Sequence, residues 1–189
     1  MNLIFRMMRV LLSARRRGRV GLFDETYLRF RVWPSDIDLL LHMNNGRYLT
    51  LMDLGRADAI IRNGVRGVLK QNGWYPVVAS ETIRFRESLP LFESFELRTR
   101  TLGWDDRSFY LRQLFLRRGR VVAVALVRAR FLRQSGGTVP APEVARAIMA
   151  GARSPALPDY IASWQTSESA MSHATSIEST QNHRTALGV

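Results

Sequence analysis

Between Tyr27 and Trp33 the chain alternates Leu28, Phe30 and Val32 with Arg29 and Arg31. A period of two predicts a strand buried on one face, and Pro34 ends it because the residue before a proline avoids helical geometry. From Asn45 to about Asn63 the period changes: Tyr48, Leu51, Met52, Gly55 and Ala59 recur at three- or four-residue spacing, with Asp58 and Arg62 placed as an i,i+4 pair. Leu49, Leu54, Ile60 and Ile61 add apolar surface on other sides. The pattern predicts one long helix with a sheet wrapped around it.

Gly64, Gly67, Gly73 and Pro76 read as an irregular connection. Strand-like runs then cover 77–86, 94–102, 108–117 and 121–132. Gly103-Trp104-Asp105-Asp106 and Arg118-Gly119 are short enough to be hairpin turns, so strands adjacent in sequence are expected to be adjacent in an antiparallel sheet. In the first of these runs Val77, Ala79, Glu81, Ile83 and Phe85 are read as one face, with Arg84 and Arg86 on the other. Beyond 136 the pattern weakens: 140–150 reads as a short helix, 155–158 as loop, and 163–189, rich in Ser, Thr, Ala and Gln, as a disordered tail. The expected organisation is a basic amphipathic segment at 1–20, one domain at 21–135, an extension at 136–162 and that tail. The class is α+β, one helix against an antiparallel sheet.

The chemistry concentrates in a polar stretch between the first strand and the long helix. From Ser35 to Tyr48 it holds Asp36, Asp38, His42, Asn44 and Asn45, set beside a helix N-terminus whose first N–H groups lack intrahelical acceptors. Such a place can polarise a carbonyl. Asp38 is a candidate nucleophile or general base. Asp36 reads more simply as a turn or cap carboxylate. His42 is a candidate for holding a carbonyl, a water or Asp38 itself, with a structural hydrogen bond as the alternative. Asn44 and Asn45 suit helix caps, and the N–H groups of Met43, Asn44, Asn45 and Gly46 are candidate oxyanion donors. Glu81, a carboxylate on an apolar strand face, is either a second acid or the partner of an arginine. Trp74, Tyr75, Trp104, Phe109 and Tyr110 could line an acyl pocket or belong to the core.

The run Asp36-x-Asp38-x-x-x-His42-Met43-Asn44-Asn45-x-x-Tyr48 opening a long helix resembles the hotdog-fold thioesterases, in particular the branch of thioesterase superfamily member 6 and its bacterial relatives. The similarity continues through Trp74 to Val78, Thr82 to Arg86 and Leu102 to Asp105, as far as about Phe131. The resemblance implies a hotdog fold, a long central helix wrapped by an antiparallel sheet, and hydrolysis of acyl thioesters of coenzyme A or an acyl carrier. In the wider superfamily, which includes 4-hydroxybenzoyl-CoA thioesterase, the second acid of the Asp-x-Asp pair is catalytic, which implies Asp38. Plant acyl-carrier-protein thioesterases carry Asp-x-Asn-x-His, and the matching positions here are Asp38, Leu40 and His42, with a leucine where that mechanism places a polar side chain. The family also implies a homodimer or homotetramer with its pocket between protomers, and no cofactor beyond the coenzyme A of the substrate. Leu40 keeps a second reading open: a hotdog protein that binds acyl thioesters or lipid at a membrane surface without turning them over.

Composition narrows this further. The 189 residues, 46% of them hydrophobic, suffice for one domain. The absence of cysteine excludes disulfides and thiolate chemistry, and with only His42, His173 and His183 no metal site is expected. The net charge of +12 comes almost wholly from arginine, Lys70 being the sole lysine. Strand arginines alternating with apolar residues mark solvated faces, and no nucleic-acid recognition motif is present, so no nucleic-acid partner is expected. Residues 1–20 carry Arg6, Arg9, Arg15, Arg16, Arg17 and Arg19 among Leu3, Ile4, Met7, Met8, Leu11 and Leu12. Arg6 and Arg9 interrupt the apolar run, so a spanning helix and secretion are not expected. The two readings of the segment are a helix lying on an anionic membrane face and a helix packed on the domain. The expected location is cytoplasmic, with peripheral contact at the inner membrane face under the first reading.

Overall fold

Helix α2 (Asn45–Arg62) begins where Asn44 accepts a hydrogen bond from the Gly46 N–H, and its apolar faces bury Tyr48, Leu51, Met52 and Leu54. These side chains pack on Leu97, Phe115, Ala125 and Val127 of the sheet in the larger of two hydrophobic clusters. Burial of residues of this size contributes about 1.5–3 kcal/mol each. The computed structural model describes the backbone of residues 3–186 and side chains over 4–175, so Leu3 and His183 lie outside the residues whose side chains are described. It divides into two units, 1–155 and 156–189.

In the first unit the chain runs α1 (Leu3–Arg16), β1 (Thr26–Arg31), a 3-10 turn (Pro34–Asp36), α2, α3 (Val65–Asn72), β2 (Trp74–Phe85), β3 (Ser94–Trp104), β4 (Phe109–Arg117), β5 (Arg120–Arg133), β6 (Thr138–Val139) and α4 (Ala141–Ile148). The antiparallel sheet has the order β1-β3-β4-β5-β2, with β6 added beside β5. Both expected hairpins form: β3 pairs β4, and β4 pairs β5 through Arg118 and Gly119, whose φ angles of 50° and 79° suit a tight primed turn. β6 also pairs its sequence neighbour β5, but the first three strands do not follow sequence order. β2 pairs β5 at the far edge rather than β3, and β1 pairs β3.

Other departures have local causes. The glycines read as an irregular connection bracket α3 instead: Gly64 and Gly73 sit at its two ends with φ of 79° and 64°, which glycine adopts without strain. On β2 a bulge at Ala79 shifts the register between Val78 and Ser80. The strand therefore turns Pro76 and Val78 to the inner face before the bulge and Glu81, Ile83 and Phe85 after it, so Val77 and Ala79 do not share the face of Glu81. In the second unit Asp159–Ala186 is one helix, α5, rather than a disordered tail from 163. Its Ser and Thr hydroxyls donate to carbonyls one turn back, as Ser163 does to Asp159 and Thr166 to Ala162, which makes them compatible with a helix.

Gly55 is where α2 comes nearest to the sheet. A Cβ there would lie 2.6 Å from Thr99 Oγ1 and 2.8 Å from Gln113 Nε2. The space is filled by a buried polar network in which Gln113 Nε2 donates to the Met52 carbonyl and to Thr99 Oγ1, at 3.0 and 2.9 Å. Arg56 Nη1 donates to Gln113 Oε1 at 3.0 Å, which completes the amide.

Helix α1 is packed on the domain along one stripe, Arg6, Val10 and Ala14, and lies beside the open edge of β1. Arg6 donates to the Arg31 carbonyl at 3.1 Å and Arg17 to the Tyr27 carbonyl at 3.0 Å. Guanidinium donors from α1 and from the turn after it thus occupy two carbonyls of the β1 edge, which hinders edge-to-edge association there. No described helix is long and apolar enough to cross a membrane.

Candidate active site

Asp36 and Asp38 are two residues apart and meet different surroundings. Asp36 is buried: Arg6 Nη1 and Nη2 donate to its two oxygens at 3.2 and 2.5 Å, and the Trp33 N–H donates to Oδ2 at 2.9 Å. With Arg47 3.9 Å away as well, it is a structural carboxylate that ties α1 to the entrance of α2. Asp38 is half-buried and faces a cavity of about 280 Å³ shared with His42, Tyr48, Glu87 and Ser88.

The loop that carries Asp38 is closed by its own backbone. The Asp38 N–H donates to the His42 carbonyl at 3.0 Å, and the Leu41 N–H to the Asp38 carbonyl at 3.1 Å. Oδ1 of Asp38 accepts the Leu40 N–H at 2.9 Å, an Asx turn, and Oδ2 takes no hydrogen bond from the described residues. Leu41 is held at φ 62°, an unfavourable value for a leucine that the surrounding turn imposes. Leu39, Leu40 and Leu41 all project outward, so an apolar lip stands beside the carboxylate.

Three of the four candidate oxyanion donors are already committed. The Met43 N–H donates to the Leu89 carbonyl and the Asn44 N–H to the Asp36 carbonyl, both at 2.8 Å, and the Gly46 N–H to Asn44 Oδ1 at 2.9 Å. Asn45 remains, at the first position of α2, where a helix has no internal acceptor for the N–H and its partial positive charge favours an anion.

Glu81 does not join the cavity. It points at α2, where Arg56 Nη1 lies 3.4 Å from Oε2, so the carboxylate on the apolar face is the arginine-paired one. The carboxylate that does line the cavity is Glu87, which accepts from Arg117 at 2.8 Å and Arg120 at 2.5 Å. Nothing in its immediate sequence pairs it with Asp38. Two long-range backbone contacts, His42 with Pro90 and Met43 with Leu89, bring the two segments together. Tyr48 is fully buried against Phe85 and Phe115, and desolvation pushes its phenol up to about 12 although a hydrogen bond with the Leu89 backbone opposes the shift. It stays protonated at neutral pH.

Of the aromatics proposed for an acyl pocket, Trp74, Trp104 and Phe109 form the second core cluster with Phe131. Tyr110 is buried with its hydroxyl donating to Asp105 at 2.7 Å, and Tyr75 is exposed. None of them lines the Asp38 cavity. No cluster of three metal-ligating side chains occurs among the described residues. A larger cavity of about 740 Å³ runs between α1 and β1, but it holds neither Asp38 nor His42.

A long helix held in the curve of an antiparallel sheet, with an aspartate turn at its entrance, defines a hotdog protein. The family model of the Thioesterase-like superfamily matches residues 32–165, and the chain belongs to this superfamily. It is similar to the protein THEM6 of Xenopus laevis, 38% identical over 135 residues that make up 70% of this chain and 63% of that protein. It is also similar to the protein THEM6 of Danio rerio, 42% identical over 113 residues, 59% of this chain and 56% of that protein. The chain therefore spans less than two thirds of these relatives' length. Among solved structures, YbaW, a probable thioesterase from Escherichia coli, matches with a TM-score of 0.62 and 20% identity over 66% of this chain and 96% of that one. A gentisyl-coenzyme A thioesterase matches with a TM-score of 0.57 and 22% identity over 64% and 99%. At these identities the structural likenesses show the fold.

Proposed function

We propose that the protein hydrolyses acyl thioesters, most simply those of coenzyme A, at the cavity that Asp38 faces. The observation that carries this reading is the division of labour between the two aspartates. Asp36 is consumed by Arg6 and the Trp33 N–H, whereas Asp38 lines a cavity at the N-terminus of the central helix and its side chain takes only the Leu40 N–H among the described residues. Asp38 either attacks the thioester carbonyl, so that the C–S bond breaks, the thiolate leaves and water then opens the resulting anhydride, or takes a proton from a water that attacks the carbonyl as the C–S bond breaks and the thiol leaves. The Asn45 N–H and the α2 dipole stabilise the charge that develops on oxygen. His42, on the same wall, orients the carbonyl or the water. The reading calls for no metal or redox cofactor, since the substrate brings its own coenzyme A.

A cavity of about 280 Å³ is smaller than the sites that enclose drug-sized ligands, roughly 300–1,000 Å³. The active assembly in this reading is a homodimer or larger, in which a second copy covers Leu39 to Leu41 and the open edge of β2. That strand is long, and Tyr75, Val78 and Phe85 are exposed on it, as an edge awaiting a partner is.

One observation favours a binding protein instead: Leu40 lines the cavity where a polar side chain would help to hold a water. Free-thiol release from short, long and aromatic acyl-CoAs separates the two. Release above the uncatalysed rate with any of them supports the hydrolase. Saturable binding of acyl-CoA without release refutes it and leaves the binding protein.

A further inference from the structure

Helix α1 leaves most of its large apolar side chains on the side away from the domain. The stripe that faces the domain includes Arg6, Val10 and Ala14, exposed by 4%, 5% and 3%, while Ile4, Phe5, Met8 and Leu12 on the opposite side are exposed by 57%, 71%, 54% and 61%. A helix whose only role is to cover a soluble domain turns its apolar stripe inward. Here the inward face is stabilised by charge: Arg6 meets Asp36, and Arg17, on the turn that follows, meets Asp58 at 2.8 Å. With Met7, five large apolar side chains are left outside on one short helix, a patch of the kind that marks a contact surface.

The charge around the patch decides the occupant. Residues 1–23 contain no Asp or Glu. Arg9, Arg15 and Arg16 are exposed on the helix itself, and Arg29, Arg31 and Arg118 line the groove beside it. Glu96 is the one carboxylate among the residues lining that groove. Apolar side chains flanked by arginines suit a plane of anionic headgroups: the apolar groups enter the acyl boundary, and the long arginine side chains keep their guanidinium groups at phosphate level. Fourteen residues are too short to span a bilayer and long enough to lie along one.

We propose that the outer face of α1 seats the protein on an anionic bilayer surface, the helix lying in the headgroup plane while Arg6, Val10 and Ala14 keep it docked on the domain. Both readings of the amino-terminal segment then hold at once, one for each face of the helix. The proposal is independent of whether Asp38 turns over a thioester.

Co-sedimentation of the full chain with vesicles tests it. Binding is expected to vesicles of equal parts phosphatidylcholine and phosphatidylglycerol, to be much weaker to phosphatidylcholine alone, and to fall as salt is raised. Each of Arg9→Gln, Arg15→Gln and Arg16→Gln should lower the partition coefficient roughly fivefold. The combined variant Phe5→Ser, Met8→Ser, Leu12→Ser should abolish binding with an unchanged thermal transition, because none of the three is buried. Wild-type protein that stays in the supernatant with the anionic vesicles overturns the proposal without recourse to any variant. So does a serine variant that binds vesicles as before, or one that leaves vesicle binding intact and converts an oligomer to a monomer, since a second copy would then be the occupant of this face.

Discussion

Replacing Asp36 by alanine should unfold the protein more readily while sparing the chemistry of its neighbour. The carboxylate accepts two hydrogen bonds from Arg6 and one from the Trp33 N–H, and both charged side chains are only 3% exposed. Removing one partner of a pair this deeply buried leaves an uncompensated guanidinium, at a cost of about 3–5 kcal/mol. For a unit of 155 residues that corresponds to a fall in Tm of roughly 6–20 °C. The same loss should release α1 from the domain and expose the bond after Arg17 to trypsin. Differential scanning calorimetry gives the first number and limited trypsin digestion the second. The double variant Arg6→Met, Asp36→Leu should recover more than half of the lost Tm, because an apolar pair of similar volume no longer buries a lone charge, although the Trp33 N–H still lacks its acceptor. Asp36→Ala melting within about 2 °C of wild type, less than 1 kcal/mol, would refute the reasoning. Abolished turnover at unchanged Tm would also sink it, because Asp36 would then be chemical.

Gly55→Ala should destabilise: the new methyl meets Thr99 Oγ1 at 2.6 Å and displaces the Gln113 amide, an overpacking cost of about 1–3 kcal/mol that exceeds the roughly 1 kcal/mol gained in helix propensity. Urea unfolding checks the sign, and a more stable Gly55→Ala would mean that α2 stands further from the sheet. Glu81→Gln should cost about 1 kcal/mol through its half-buried partner Arg56 and leave any thiol release unchanged, a comparison made on one preparation. Asp105 sets the sign of an acid effect. Burial pushes its carboxyl up, but hydrogen bonds from the Tyr110 hydroxyl and the Arg107 and Ser108 N–H groups outweigh that and hold it below its ordinary value of 3.8. Its contribution is therefore present above that value and lost as pH falls through the lower folded one. The Tm gap between wild type and Asp105→Asn should narrow on acidification, and a gap that widens would contradict the assignment.

Local pattern carried the elements in this chain, and long-range pairing carried what was illegible. The period of two in Leu28, Phe30 and Val32, the helical spacing from Tyr48 to Ala59 and the Arg118-Gly119 turn each state their structure within a few residues. Asp38 stood out as a candidate in the sequence because its motif is contiguous. Asp36 could be read as a turn residue but not as the partner of Arg6, thirty positions away. Glu87 was invisible because two backbone contacts of a later loop, not its neighbours, set it beside Asp38. The Ala79 bulge reversed the inner face of β2 midway, which strict alternation cannot anticipate. Gly64 and Gly73 misled in the other direction, since glycines that cap a helix at both ends look in sequence like a loop without one. The Ser- and Thr-rich stretch of α5 reads as disorder until its hydroxyls are seen bonding to their own helix.

The most direct test of the account is free-thiol release from the best acyl-CoA of the panel, measured for wild type and Asp38→Asn at matched concentration and with both melting curves in hand. The Asp38 side chain accepts one hydrogen bond from the described residues, from the Leu40 N–H, which an asparagine oxygen can also accept. The account predicts a loss of turnover of at least a hundredfold, the scale of acid–base catalysis, at an unchanged Tm. Turnover retained in Asp38→Asn would contradict it and move the chemistry away from the α2 entrance.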